Sequence, residues 1–202
     1  MYSQVIELIE YIKICYPDYF NDKKVLDVGV LLNNTQNYFT DCEYYITDVT
    51  LNDNVSKRDI LSVKDLEFDD EYFDTIICIE CLEHDLNWKE GIQNIKKMLK
   101  ENGLLIFILE PVKNDKNTDI LDIFNLNNEI NFDKFFIYWD CYLDNNTNYC
   151  FLLGIKKNTS NTKILIPTIK YSNSISRLKN SNISLLTNKI YLHNVGNNNN
   201  LD

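Results

Sequence analysis

Short, uniformly apolar runs alternate with longer amphipathic or polar stretches along this chain, and that rhythm predicts strands alternating with helices. Val5, Leu8, Ile9, Ile12 and Tyr16 recur at helical spacing, with Ser3 placed to cap the helix and Pro17 to end it. Val25-Leu26-Asp27-Val28-Gly29-Val30 predicts a short strand finishing at a glycine. Residues 33–40 allow two helical turns at most, 43–49 predict a second strand ending at Asp48, and 58–61 a third short one. Residues 75–79 then form a run rich in β-branched side chains that stops abruptly at acids and a histidine. A parallel strand covered on both faces has this pattern, polar only where it leaves the sheet. Asn87 and Glu90 suggest a capping-box start for a helix whose stripe is Trp88, Ile92, Ile95 and Leu99, with Asn102-Gly103 as its left-handed exit. Residues 104–109 are the next apolar strand. Beyond it, 118–126 predicts a short helix, and 135–143 and 149–155 two strands joined by Asp144-Asn145-Asn146-Thr147-Asn148, a loop of hairpin composition. The expected class is α/β, with a mostly parallel sheet closed by an antiparallel C-terminal hairpin.

At 202 residues the chain suits one domain with a sizeable core and an appendage. Hydrophobic residues at 45% exclude disorder for most of it. Apolar runs far short of a membrane span and the absence of a signal-like opening lead to the expectation of a soluble, cytoplasmic protein with no membrane partner. Six cysteines at irregular spacing within apolar runs suit a reducing compartment. There is no alanine, arginine occurs only at Arg58 and Arg177, and Asn, Ile, Lys and Tyr abound, a codon signature of an AT-rich genome. The formal charge of −10 disfavours nucleic acid as a partner. Its distribution divides the chain into residues 1–157, an acidic domain, and 158–202, a polar extension carrying +4 and disordered at its end. The extension is expected to dock on the acidic body.

In open α/β sheets, ligands bind beyond the carboxyl ends of strands. Glu80, Glu83 and His84 stand at such an end. Asp48 follows Asp27 by 21 residues, close to the spacing in nucleotide-binding α/β units, where an acid accepts from both ribose hydroxyls. The plainer role for Asp48 is a turn at a strand end. Cys78-Ile79-Glu80-Cys81 has Cys-x-x-Cys spacing but ends a buried strand with no second pair, so neither zinc nor redox chemistry is expected there. Tyr138, Trp139 and Tyr142 read as packing on the hairpin rather than a base-stacking platform.

Val25-Leu26-Asp27-Val28-Gly29, Tyr45-Ile46-Thr47-Asp48, Arg58-Asp59-Ile60, Ile79-Glu80-Cys81-Leu82-Glu83-His84 and Met98-Leu99-Lys100-Glu101-Asn102-Gly103-Leu104, taken in register over residues 20–157, resemble the class I S-adenosylmethionine-dependent methyltransferases. More narrowly, they resemble the small-molecule type with Glu-x-x-Glu-His after the fourth strand. The resemblance implies a Rossmann-like three-layer sandwich with S-adenosyl-L-methionine as cofactor. It places Asp27 and Gly29 at the methionine part, Asp48 at the ribose, Asp59 and Ile60 at the adenine edge, and Glu80 with the cofactor set. His84, with Glu83 or Asp85 nearby, would position a small polar acceptor and take its proton. That acceptor would offer a hydroxyl, or less readily an amine, with a sugar or sugar nucleotide as first choice. In some relatives an equivalent Glu-x-x-Glu-His holds a divalent metal; here Glu80, Glu83 and His84 have only His193 as a further histidine, so no metal is expected. The chain departs from the family at its glycine loop, where Leu31 and Asn33 stand for the second and third glycines. A branched side chain where backbone approaches the ligand supports the alternative, an inactive methyltransferase-like binding or stimulatory subunit. A protein partner or a second copy of the chain is left open.

Overall fold

A computed structural model describes residues 2–29, 35–47, 63–82, 85, 87–109, 123–144, 150–158 and 175–178. Helix α1 (Tyr2–Cys15) buries Val5, Leu8, Ile9 and Ile12, the stripe its spacing predicts. The helix begins at Tyr2, one residue before Ser3, the residue expected to cap it. Pro17 ends it and opens a 3-10 turn, Pro17–Phe20.

Strands β1 (Lys24–Val28), β2 (Glu43–Thr47), β3 (Phe73–Ile79) and β4 (Leu99–Leu109) are joined by parallel pairing, β2 to β1, β1 to β3 and β3 to β4. Helix α2 (Trp88–Met98) connects β3 to β4. It stops one residue before Leu99, whose backbone is already extended. Asn102, expected as the helix exit, keeps its left-handed φ of +59° but sits inside β4, where pairing with β3 jumps from Phe73↔Leu99 to Thr75↔Leu104. After β4 come helices α3 (Ile123–Ile130), overlapping the helix expected at 118–126, of which residues 118–122 lie outside the described residues, and α4 (Phe132–Phe135). Asn131 separates them at φ +56°, and its side chain accepts from the Lys134 backbone to start α4.

Strands β5 (Phe136–Asp144) and β6 (Cys150–Lys156) form the expected hairpin, antiparallel to each other, with β6 antiparallel to β4. With β7 (Ile175–Leu178) the sheet order is β2-β1-β3-β4-β6-β5-β7. This last strand lies in the basic extension and pairs antiparallel with β5. Its four residues, set in an Asn- and Ser-rich context, gave no strand signal in the sequence. The strand expected at 58–61 lies outside the described residues.

Alternation along the strands builds two cores. Leu26, Val28, Ile76, Cys78, Leu105 and Phe107 face Trp88, Ile92 and Ile95 of α2 and Leu126 and Ile130 of α3. Val25, Ile77, Ile79, Leu104, Ile106 and Ile108 face α1. The result is the expected three-layer α/β sandwich, mostly parallel with an antiparallel C-terminal portion. No helix among the described residues is long and apolar enough to cross a membrane.

Asp74 ties the near ends of three strands together. Its carboxylate accepts from the Lys24 backbone at 3.0 Å and from the Lys100 ammonium at 2.9 Å. Asp74→Ala is expected to lower stability by about 1–3 kcal/mol, since it leaves a part-buried backbone donor and an ammonium unmatched. Urea unfolding checks this, and an unchanged midpoint would show that the clasp contributes nothing.

Candidate active site

From β1 the chain passes to β2 on one side, then returns to β3 on the other side of β1. Strand order therefore reverses beside β1, and an α/β sheet opens its crevice at the carboxyl ends of such strands. Val28-Gly29 leave β1 there, Thr47 ends β2, and Ile79-Glu80-Cys81 leave β3.

Gly29 has φ +86°, and its N–H donates to the Thr47 carbonyl at 2.7 Å. A Cβ at this position would lie 2.4 Å from the Cβ of Cys81 and 2.8 Å from its Sγ. The glycine is thus required by the crossing of two strand exits. Cys81 fastens that crossing by donating its thiol to the Val28 carbonyl at 3.0 Å. Its sulfur lies 3.3 Å from that of Cys78, and neither is in a disulfide.

Glu80 is buried, its N–H donates to Ile108 O at 2.9 Å, and its φ is +46°. A left-handed glutamate at a strand exit is a strained arrangement of the kind that gathers at functional sites.

Asp27 is the most unusual group. It is 4% exposed, Oδ2 accepts from the Tyr44 hydroxyl at 2.7 Å, and Oδ1 is buried without a partner. Burial pushes its carboxyl up from 3.8 to about 7, while the Tyr44 hydrogen bond pulls the other way. The Tyr44 phenol is itself pushed far up, by burial first and then by the Asp27 charge. Thr35, 3% exposed, is hydrogen-bonded to the phenol.

Asp85 is buried in the turn that leads into α2. Its Oδ1 accepts from the Asn87 N–H at 2.8 Å, and its carbonyl accepts from the Trp88 N–H at 3.1 Å. Asn87, expected to cap α2, makes no side-chain capping bond, because the Asp85 side chain organises that turn instead. Asp48, Asp59, Ile60, Glu83 and His84, with Leu31 and Asn33 of the loop, lie outside the described residues. Among the described residues no group of three His, Cys, Asp or Glu could hold a metal ion.

Of the sequence-predicted residues, the structure brings Asp27, Gly29 and Glu80 to the ends of two adjacent strands. Tyr44 and Cys81 were not foreseen. Tyr44 reads as one more aromatic in an edge strand until the register Val25↔Tyr44 and Asp27↔Ile46 sets it diagonally beside Asp27.

Residues 26–107 match a family model described as a methyltransferase domain. No curated protein matches the chain. Among solved structures, the chain is similar to 1,6-didemethyltoxoflavin-N1-methyltransferase of Burkholderia thailandensis, bound to 1,6-didemethyltoxoflavin and S-adenosylhomocysteine. The TM-score is 0.53 at 13% identity, over 74% of this chain and 77% of that one. It is also similar to phosphoethanolamine N-methyltransferase 2 of Haemonchus contortus, in complex with phosphomonomethylethanolamine and S-adenosylhomocysteine, with TM-score 0.58 and 11% identity, over 74% of this chain. This chain spans about half of that enzyme, 52% of its length. A third similar structure is the [4+2]-cyclase SpnF, with TM-score 0.54 and 14% identity, over 75% of this chain and 80% of that one. The fold is therefore the Rossmann-like fold of class I methyltransferases.

Proposed function

We propose that the chain is an S-adenosylmethionine-dependent methyltransferase that transfers the methyl group to a hydroxyl, or an amine, of a small polar acceptor, a reading supported by the match of residues 26–107 to a methyltransferase-domain model. The observation that carries the proposal is the buried, partnerless Oδ1 of Asp27 at the switch point of the sheet. A carboxylate oxygen buried without a donor fits a cationic ligand group, and the amino-acid end of the cofactor carries an ammonium.

When bound, the cofactor supplies an electrophilic methyl on a sulfonium leaving group. Asp27 would hold the ammonium, with Gly29 and Glu80 shaping the strand exits around it. Asp48 would accept from the ribose hydroxyls, and Asp59 and Ile60 would meet the adenine edge. His84 would take the acceptor proton, with Glu83 or Asp85 beside it. The Asp85 Oδ1 is engaged in the turn before α2, which suits an indirect part, keeping the preceding segment in place. Because catalysis here is chiefly alignment of acceptor and methyl, the rigidity of these strand ends matters more than acid–base strength. A sugar or sugar nucleotide is the acceptor to try first.

Calorimetric titration with S-adenosylhomocysteine tests the proposal. The chain is expected to bind with a micromolar Kd, and Asp48→Ala to weaken binding at least about tenfold by removing the ribose acceptor. No heat at millimolar ligand would replace the enzyme with the second reading, a binding or stimulatory subunit. That reading is favoured by Leu31 at a glycine position of the loop, where a branched side chain stands in place of bare backbone.

A further inference from the structure

We infer that Tyr44 is a positioning residue for cofactor binding: its phenol fixes the Asp27 carboxylate so that the second oxygen faces the ligand's α-ammonium. The inference rests on the methyltransferase proposal and adds to it a residue outside the family's motifs.

Strand geometry makes the contact. In the β1–β2 register Asp27 pairs with Ile46 and Val25 with Tyr44, so Tyr44 stands two residues back on the neighbouring strand. Diagonal neighbours on one face are within reach of a long aromatic side chain. Tyr44 spans that diagonal and donates to Oδ2 at 2.7 Å. Thr35, almost fully buried, is hydrogen-bonded to the phenol. The carboxylate is thereby fixed by one oxygen, and the other, Oδ1, remains buried without a partner. A neutral phenol cannot balance the charge of the carboxylate. The group best matched to the remaining oxygen is a cationic N–H donor, whose bond to a carboxylate is charge-assisted. Without Tyr44 the carboxyl could rotate, and the oxygen would no longer be presented in one orientation.

The experiment compares two ligands on the full chain at pH 8, where Asp27 is ionised. S-Adenosylhomocysteine carries the ammonium; 5′-methylthioadenosine keeps the adenosine and the sulfur but lacks the amino-acid part. Tyr44→Phe keeps the ring and removes the donor. It is expected to raise the Kd of S-adenosylhomocysteine about tenfold, the worth of one charge-assisted hydrogen bond, and to leave that of 5′-methylthioadenosine within about twofold. Should Tyr44→Phe not fold, Thr35→Val, which removes the hydrogen bond to the phenol, is expected to show the same selective loss on a smaller scale. An equal loss for both ligands would mean that Tyr44 serves only the fold, and the inference fails while cofactor binding stands. A wild-type chain that binds both ligands equally would likewise overturn it. Binding of neither ligand to the wild type would remove the methyltransferase proposal itself.

Discussion

Asp27→Asn is expected to make the protein more stable at pH 8 while abolishing its affinity for S-adenosylhomocysteine. Burial raises the Asp27 carboxyl from 3.8 to about 7, so between those values the folded protein holds a proton that the unfolded chain has released. Stability then falls as pH rises through that interval and levels off above about pH 7, when both states are ionised. The group is well buried, so solvent screening removes little of the effect, and the loss by pH 8 is about 4 kcal/mol. Asparagine has nearly the same shape, can accept from Tyr44 through its amide oxygen, and carries no charge to bury. Urea unfolding of the two proteins should give similar stability near pH 4 and a growing advantage for Asp27→Asn toward pH 8. Parallel curves across that range, or a less stable variant at pH 8, would show that the carboxylate is not under strain. A buried carboxylate that costs the fold stability calls for a role outside the fold, and the binding titration of the same variant says whether that role is to hold a cationic ligand.

The central strands were legible because they are buried on both faces. Residues 75–79 and 104–109 have no polar alternation to confuse, and the hairpin announced itself through Asp144-Asn145-Asn146-Thr147-Asn148. Boundaries slipped where one residue served two elements. Leu99 continues the helical stripe of α2 and is equally buried as the first residue of β4, and hydrophobic spacing cannot distinguish the two. Strand β7 was invisible because edge pairing to β5 needs backbone groups rather than an apolar run. At the site, Asp27 and Gly29 could be found by their place at the end of an apolar run. Their partners could not. Tyr44 reaches Asp27 from β2, and Cys81 reaches Gly29 from beyond β3, and both contacts depend on register across strands far apart in sequence.

The Gly29–Cys81 contact carries the other large effect. Gly29→Ala forces a side chain into φ +86° and sets its Cβ 2.4 Å from that of Cys81. Left-handed backbone costs about 1–2 kcal/mol and overpacking about 1–3, so a loss of roughly 4 kcal/mol is expected. Cys81→Gly removes both clashing atoms, at a smaller cost of its own from the lost thiol bond to Val28 and the space left behind. In the double variant the alanine then meets only the φ penalty, so the two changes together should cost at least about 1 kcal/mol less than their sum. Urea midpoints of the four proteins measure that coupling, and strict additivity would mean that the crossing of strand exits is not what demands a glycine. The distinction bears on function. If packing against Cys81 requires Gly29, its presence in a loop whose other glycine positions hold Leu31 and Asn33 says nothing about a ligand. The Asp27 oxygen, which the fold leaves unmatched at a cost, is then the feature that speaks for one.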